Sequence, residues 1–71
     1  MATPIEAQIT GTVWKIEKAV GDSVAEEEVV MILESMKMEI PVEAPRAGRV
    51  AEIRVAEGDH VDEGTVLAVI E

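Results

Sequence analysis

The chain has 71 residues, no cysteine and a single aromatic residue, and six basic against fifteen acidic side chains give it a formal net charge of −9. This length allows one small domain, and the lack of cysteine excludes disulfides and thiolate metal sites. So acidic a surface repels phosphate backbones and anionic lipid, which argues against nucleic-acid and membrane partners. There is no basic start followed by a long apolar run, so we expect no signal peptide and a cytoplasmic location.

An internal repeat organises the chain. Residues 1–34 align without a gap on residues 38–71, at an offset of 37 positions that gives 14 identical pairs. Residues 35–37 remain as a junction between the two copies. The sequence therefore predicts a single domain, residues 1–71, made of two equivalent halves.

Each half is predicted to contain about four short strands. In the first half we expect them near residues 2–8, 12–19, 23–25 and 29–34. Read alone, residues 25–34 are compatible with a helix, but the equivalent residues 62–71 are rich in valine, isoleucine and threonine. Such residues favour strands, and two copies of one unit should share one fold.

Proline and glycine add detail to this pattern. Pro4 and Pro41 occupy equivalent positions, which predicts edge strands or bulges there. The equivalent Gly21-Asp22 and Gly58-Asp59 pairs predict tight turns. Because a four-stranded half cannot bury its apolar face alone, we expect an all-β fold. It would be a flattened eight-stranded barrel or sandwich of two four-stranded halves related by a quasi-two-fold axis.

The junction and its flanking residues read Glu34-Ser35-Met36-Lys37-Met38-Glu39. In the predicted fold this segment is a hairpin linking the two halves, with Lys37 at its tip. Lys37 is also the only lysine after position 18. A single amine on a protruding turn is easily reached by a modifying enzyme.

This segment resembles the E-A-M-K-M biotinylation motif of biotin carboxyl carrier domains, with Ser35 where alanine is usual. The resemblance covers essentially the whole chain, which is also similar to the short stand-alone biotin/lipoyl attachment proteins. It implies that Lys37 bears covalent biotin. It also implies the flattened eight-stranded barrel of two halves. The gapless alignment of the halves leaves no room for the thumb insertion found in some carriers.

The resemblance further implies a carrier without catalytic residues of its own, rather than an enzyme. A biotin protein ligase would load Lys37, a biotin carboxylase would carboxylate the biotin ring, and a carboxyltransferase would pass the carboxyl group to an acceptor. The flanking residues form the expected recognition motif of the hairpin: Glu34, Ser35, Met36, Met38 and Glu39. The two methionines either fill the core or have a functional role, in which they lie beside the biotin ring or enter pockets of a partner. The counterpart of Glu34 in the second half, Glu71, favours a structural role for Glu34.

No second site is indicated by the sequence. His60 is the only histidine and lies beside a predicted turn, which suits a solvated side chain better than a metal ligand or a general base. The acidic run at residues 26–28 lacks the ligand spacing of a calcium loop and is typical of charged residues that precede a strand. We therefore predict no metal site and no catalytic constellation.

Three alternatives stay open. A lipoyl carrier shares the barrel and the hairpin lysine, and a dual biotin and lipoyl attachment protein is compatible with the sequence, although methionines on both sides of Lys37 favour biotin. An unmodified adaptor barrel is disfavoured, because such adaptors separate their halves with a long helical hairpin. The chain is either a stand-alone protein or one domain of a larger carboxylase.

Overall fold

The computed structural model describes residues 2–71, and this part of the chain forms eight β-strands and no helix. The strands are β1 (Thr3–Glu6), β2 (Gly11–Ile16), β3 (Ser23–Val24), β4 (Val29–Ser35), β5 (Met38–Glu43), β6 (Gly48–Ile53), β7 (His60–Val61) and β8 (Val66–Ile70). The predicted all-β class is confirmed. Nothing within residues 2–71 forms a helix that could cross a membrane.

The strands are arranged in two four-stranded sheets. One has the order β1-β8-β6-β3 and the other the order β5-β4-β2-β7, with every pair antiparallel. Strands of the second half follow those of the first at an offset of 37 residues, as β2 and β6 illustrate. Each sheet takes two strands from each half, because β1 and β3 join β6 and β8 of the second half while β5 and β7 join β2 and β4 of the first. The two halves are therefore interlocked rather than stacked as separate sheets.

The first two strands are shorter than the sequence indicated. β1 ends at Glu6 rather than near residue 8, and β2 ends at Ile16 rather than near residue 19. After β1 the chain bonds to the loop before β8, where Ala7 donates its amide to the Thr65 carbonyl at 2.8 Å. After β2, Glu17 still donates its amide to the Val30 carbonyl of β4 at 2.9 Å, and by Gly21 the chain bonds to Val50 of the opposite sheet at 2.8 Å.

The predicted turns lie at Gly21-Asp22 and Gly58-Asp59. In each, the glycine has a positive φ, 96° and 94° respectively. The aspartate carboxylate accepts a backbone N–H three residues upstream, from Ala19 in the first half and from Ala56 in the second, both at 2.9 Å. Glycine is the residue that adopts such a φ at no steric cost. These turns carry β3 and β7 across to the opposite half.

Pro4 and Pro41 both lie on edge strands, as the sequence predicts. Pro4 is in β1 and Pro41 is in β5, and each of these strands has a sheet neighbour on one side only. Proline cannot donate a ladder hydrogen bond, so an edge position accommodates it and blocks the addition of a further strand.

Four β-bulges lie at equivalent places in the two halves. β2 has one extra residue, Trp14, between the pairs Val13–Leu33 and Lys15–Ile32. β6 has Ala51 at the equivalent position. The pairing also shifts at Val30 in β4 and at Leu67 in β8. A bulge reverses the inside–outside alternation of the residues that follow it, which explains why an uninterrupted period of two does not describe β2 or β6.

The core between the sheets is built from aliphatic side chains alone. No polar or charged side chain is buried among the described residues. The largest fully buried side chains come from both halves: Met31, Leu33, Leu67, Ile70, Val13, Val30 and Val50. Residues of β4 and β8 supply five of these seven, so these two inner strands, one in each sheet, form the centre of the core.

A candidate site for covalent modification

Met36 and Lys37 form the two-residue turn that joins β4 to β5. The last pair of the ladder below this turn is Ser35–Met38. Met36 has a φ of 53° and Lys37 a φ of 66°. Two-residue hairpins favour turns with positive φ at both central positions, because the twist of such a turn matches the twist of the strands. The predicted junction residue Ser35 is thus the last residue of β4, and the turn consists of Met36 and Lys37.

The hairpin below the turn is held by the hydrogen bonds between β4 and β5 and by the side chains that β4 buries in the core. β4 and β5 pair over six registered positions from Val29–Glu43 to Ser35–Met38, interrupted by one bulge. Leu33, four residues before Lys37, is 1% exposed and anchors the hairpin to the core. The arrangement presents the Lys37 side chain on a rigid support, exposed to solvent.

Lys37 differs electrostatically from the other two lysines. Lys15 forms an ion pair with Glu17 at 3.9 Å, and Lys18 forms one with Glu28 at 2.5 Å. The hydrogen bond from Lys18 is the main reason that the pKa of Glu28 is lowered, and the same bond raises the pKa of Lys18. Within residues 2–71 no acidic side chain forms an ion pair with Lys37. A modifying enzyme could therefore acylate the Lys37 amine without breaking an ion pair of the domain, which is not the case for Lys15 or Lys18.

The two methionines beside Lys37 do not fill the core. Met36 is 90% exposed and Met38 is 63% exposed. Of the two possibilities left open by the sequence, core filling is excluded, since both side chains lie at the surface beside the lysine. Exposed apolar side chains are costly to hydrate, and thioethers adapt readily to a partner surface.

The two acidic residues of the motif, Glu34 and Glu39, are directly opposite each other on β4 and β5. Both are exposed. Like charges at opposed positions destabilise a strand pair by a few tenths of a kcal/mol, to about 1 kcal/mol. The motif residues Glu34, Ser35, Met36, Met38 and Glu39 thus surround Lys37 within one hairpin, as the sequence placed them.

The histidine of the chain lies in the same sheet as the hairpin, where it pairs with Thr12 of β2. His60 is in β7 and exposed, 3.8 Å from the Asp62 carboxylate. Across residues 2–71, no three side chains of the metal-binding types come together.

Sequence reasoning missed the environment of Trp14. Alternation along the strand, with Trp14 and Ile16 on one side, predicts a half-buried face that includes Trp14. In the structure Val13 is buried instead and Trp14 is 48% exposed, and the bulge then returns Ile16 to the core. The repeat held a usable signal, because Ala51 at the equivalent position showed that no large core side chain is needed there.

A two-layer β domain that presents one unpaired lysine on a hairpin between equivalent halves has the architecture of a prosthetic-group carrier. Comparison with protein families identifies the class: residues 1–70 match the biotin/lipoyl family, described as "Biotin-requiring enzyme". The chain belongs to this family.

Two curated relatives match about half of the chain. A putative urea carboxylase of Emericella nidulans is 50% identical over 38 residues, which are 54% of this chain and 3% of that protein. The biotin/lipoyl attachment protein of Bacillus subtilis is 48% identical over 36 residues, or 51% of this chain and 49% of that protein. The matched segments thus span less than half of the length of either relative.

Two solved structures share the fold over nearly the whole chain. The urea carboxylase of Kluyveromyces lactis contains a similar domain, with a TM-score of 0.95, 39% identity and coverage of 100% of this chain and 6% of that one. A single-chain, multi-domain long-chain acyl-CoA carboxylase contains another, with a TM-score of 0.90, 31% identity and coverage of 96% of this chain and 7% of that one. The domain is therefore a biotin-requiring carrier domain, similar to those within carboxylases.

Proposed function

We propose that Lys37 carries covalently bound biotin and that the domain is a biotin carboxyl carrier. The exposed amine on a rigid hairpin supports this proposal, together with the family and with relatives named as carboxylases. Residues 1–71 act as one carrier domain, with the halves 1–34 and 38–71 joined by residues 35–37. The recognition motif is the hairpin itself: Glu34, Ser35, Met36, Met38 and Glu39.

The turn geometry is the observation that carries the proposal. Lys37 holds the second turn position, where a positive φ favours glycine. Holding a side chain in this conformation costs about 1 kcal/mol or more. The two-residue turn offers the amine with no neighbouring side chain paired to it, which fits the attachment of an acyl group. A lysine kept at a position better suited to glycine is expected where the side chain itself is needed.

The attachment is an amide bond between the biotin carboxyl group and Nζ of Lys37. A biotin protein ligase would form it at the expense of ATP, and the lysine loses its positive charge, so the formal net charge goes from −9 to −10. The proposed compartment is the cytoplasm, as expected from the sequence. Bound biotin would supply the ring that a biotin carboxylase carboxylates with bicarbonate and ATP and that a carboxyltransferase unloads onto an acceptor.

The protein contributes position to this cycle rather than bond-making groups. The hairpin holds the base of the arm still, and the lysine and biotin chains together let the ring sweep about 10–15 Å from the backbone. A tethered ring at high local concentration can then visit two active sites in turn. Whether the domain acts alone or within a larger carboxylase does not alter this role.

Replacement of Lys37 tests the attachment site. In a host with an active biotin protein ligase, Lys37→Arg should lose all streptavidin-detectable label and keep the circular dichroism of the wild type, since arginine keeps the charge but cannot be acylated in this way. Lys15→Arg is the matched control and should be labelled as strongly as the wild type. Label that persists on Lys37→Arg would contradict the proposal.

Lipoate is the second candidate for the group on Lys37. The family and the Bacillus subtilis relative are both named for biotin and lipoyl attachment, which is the observation that favours it. The intact mass of the protein from its native host separates the two groups. The expected result is an added biotinyl mass. An added lipoyl mass would instead show that lipoate, and not biotin, is the group attached to the protein.

A further inference from the structure

The outer surface of the β5-β4-β2-β7 sheet continues directly from the Lys37 turn. We define the hairpin face as Trp14, Ile32, Glu34, Glu39 and Pro41. Its residues are neighbours by register, since Glu34 pairs with Glu39 and Ile32 pairs with Pro41 and with the bulge of β2. The hairpin face is an apolar patch with an acidic border on the side nearest Lys37, and the exposed Lys15, which pairs with Ile32, lies beside Trp14 at its other end.

Trp14 is the main apolar residue of this surface. As the extra residue of the β2 bulge, it points to the same side as its opposite neighbour Ile32. Its indole is 48% exposed, and it is the only aromatic side chain of the chain. A large aromatic residue that remains half exposed in a 71-residue domain is not explained by the core.

The pseudo-symmetry supplies an internal comparison. In the other sheet, the position equivalent to Trp14 is Ala51, which occupies the same kind of bulge. The position equivalent to Glu39 is Ala2. The fold therefore requires neither the indole nor the second carboxylate. Both occur only in the sheet that carries Lys37.

The remaining residues of the hairpin face do not distinguish the two sheets. Glu34 has the counterpart Glu71 and Pro41 has the counterpart Pro4. Trp14 and Glu39 are thus the two residues of the hairpin face that are best explained by something outside the domain.

We propose that the hairpin face docks the biotin carboxylase, with Trp14 inserted into an apolar pocket and Glu39 against a rim of lysine and arginine. This inference rests on the proposed function. An enzyme that binds ATP and bicarbonate gathers cationic side chains around its site, and these complement an acidic surface. Tryptophan is the side chain that most often dominates the binding energy of an interface.

The distances agree with a single footprint that includes the tip. At about 3.3 Å per residue, Glu39 is about 7 Å from Lys37 along the hairpin, and Trp14, level with Leu33, is about 13 Å away. A patch of about 800 Å² per partner, the usual size for a specific interface, is about 30 Å across. One partner can therefore cover the hairpin face while it receives the arm from Lys37.

The test uses the biotinylated 71-residue domain as the substrate of a biotin carboxylase. Trp14→Ala should raise the KM for the domain about 10-fold with little change in kcat, because the indole acts in docking and not in chemistry. Glu39→Ala should raise the KM less, with a difference from the wild type that disappears at high salt. The matched controls are Val20→Ala, at a second exposed apolar residue (62% exposed), and Glu26→Ala, at another exposed acid.

Kinetics are measured on fully biotinylated protein, so the rate of loading does not enter the result. An unchanged KM for Trp14→Ala would overturn the inference, whether or not the variant is biotinylated more slowly by the ligase. Absence of biotin on the wild-type protein would instead contradict the proposed function. Ala51 at the equivalent bulge shows that alanine suits this backbone, so Trp14→Ala is expected to fold.

Discussion

At the scale of single residues, the turn that carries the candidate amine has a strained backbone. Met36 and Lys37 both have positive φ, in a turn type whose second position prefers glycine. The second half of the molecule shows the preference at another turn, where Gly64 has a φ of 91° and its counterpart Glu27 has a φ of 68°. Strained side chains therefore occur at two turns, and only one of them carries the candidate amine.

Removal of the side chain at the tip should make the domain more stable. Lys37→Gly is expected to raise the free energy of unfolding by about 1 kcal/mol, because glycine adopts this φ without a steric penalty. For a domain of this size, the gain corresponds to a rise in Tm of about 4–8 °C, measured by calorimetry. The same variant should not be biotinylated.

Glu27→Gly is the matched variant for this comparison. It should gain a similar amount of stability, since it relieves the same backbone conformation, and it should be biotinylated as well as the wild type. If Lys37→Gly were less stable than the wild type while Glu27→Gly was more stable, the lysine side chain would be part of the hairpin's stability and the strain argument would be wrong.

The prominence of Lys37 could be foreseen from the sequence, because it is the odd residue between two matching halves. The exposure of Trp14 could not be foreseen from alternation along the strand, since one inserted residue reverses which side of a strand faces the core, and only the comparison with Ala51 in the other half hinted at it. The position of a bulge depends on how two strands pair across the sheet, and a period of two read along one strand does not contain that information.

At the scale of elements, glycines hold the central strands close to their neighbours. A Cβ at Gly11 in β2 would lie 2.6 Å from the Glu34 carbonyl oxygen in β4, and one at Gly48 in β6 would lie 2.5 Å from the Glu71 carbonyl oxygen. Neither glycine has a positive φ. The two glycines occupy equivalent positions in the repeat. The structure gives the reason: at each of them the backbone of one strand lies close to the backbone of its neighbour, with no room for a side chain.

Gly11→Ala should therefore destabilise the sheet beneath the hairpin. The methyl group has to displace backbone rather than a flexible side chain, so we expect a loss of about 1–3 kcal/mol. Urea denaturation measures this loss. Thr12→Ala, at the next residue of the same strand, should change stability by less than about 0.5 kcal/mol. Equal stabilities for Gly11→Ala and the wild type would show that β2 and β4 can move apart freely.

The ion pair between Lys18 and Glu28 joins the segment after β2 to the start of β4. The pKa of Glu28 is lowered, first by the hydrogen bond from Lys18 and then by the backbone N–H of Ala25, which lies 2.8 Å from Oε1. A carboxyl group whose pKa falls on folding stabilises the protein above its unfolded pKa of 4.5. That contribution is lost as the pH falls through the lower, folded value.

Glu28→Gln should therefore lower the Tm near pH 7 and make little difference near pH 3. Glutamine can still accept the Ala25 amide, so the variant removes mainly the charge. Thermal unfolding across this pH range measures the difference, with Glu26→Gln as the exposed control that should follow the wild type at every pH. A gap between Glu28→Gln and the wild type that widens on acidification would contradict the assigned direction of the pKa.

At the scale of the whole molecule, the sequence predicted the fold class well and the connectivity less well. Composition, the repeat and the edge prolines lead to an all-β fold of two equivalent four-stranded halves, which the structure and its carboxylase neighbours confirm. The exchange of strands between the sheets, with β1 and β3 in one and β5 and β7 in the other, was not foreseen. Two-residue strands carry too few side chains to display a pattern, so their pairing is decided by contacts distant in sequence.

The two quasi-equivalent halves differ in what they present to other proteins. One sheet carries the Lys37 turn and the hairpin face, and its counterpart carries the strand ends near Thr3 and Ile70. Arg46 binds at this second end, donating from Nε to the Thr3 hydroxyl at 2.8 Å and from Nη2 to the Ile70 carbonyl at 3.3 Å. A repeated architecture thus carries the proposed attachment site at one sheet and holds the terminal strands together at the other.

Tandem mass spectrometry of the protein purified from its native host tests the central claim most directly, because it reports the attached group and its position together. The expected result is one biotinyl group on the peptide containing Lys37, with Lys15 and Lys18 unmodified. A biotinyl group on either of those two lysines, or a Lys37 peptide that is never acylated in cells with active biotin ligase, would contradict the account.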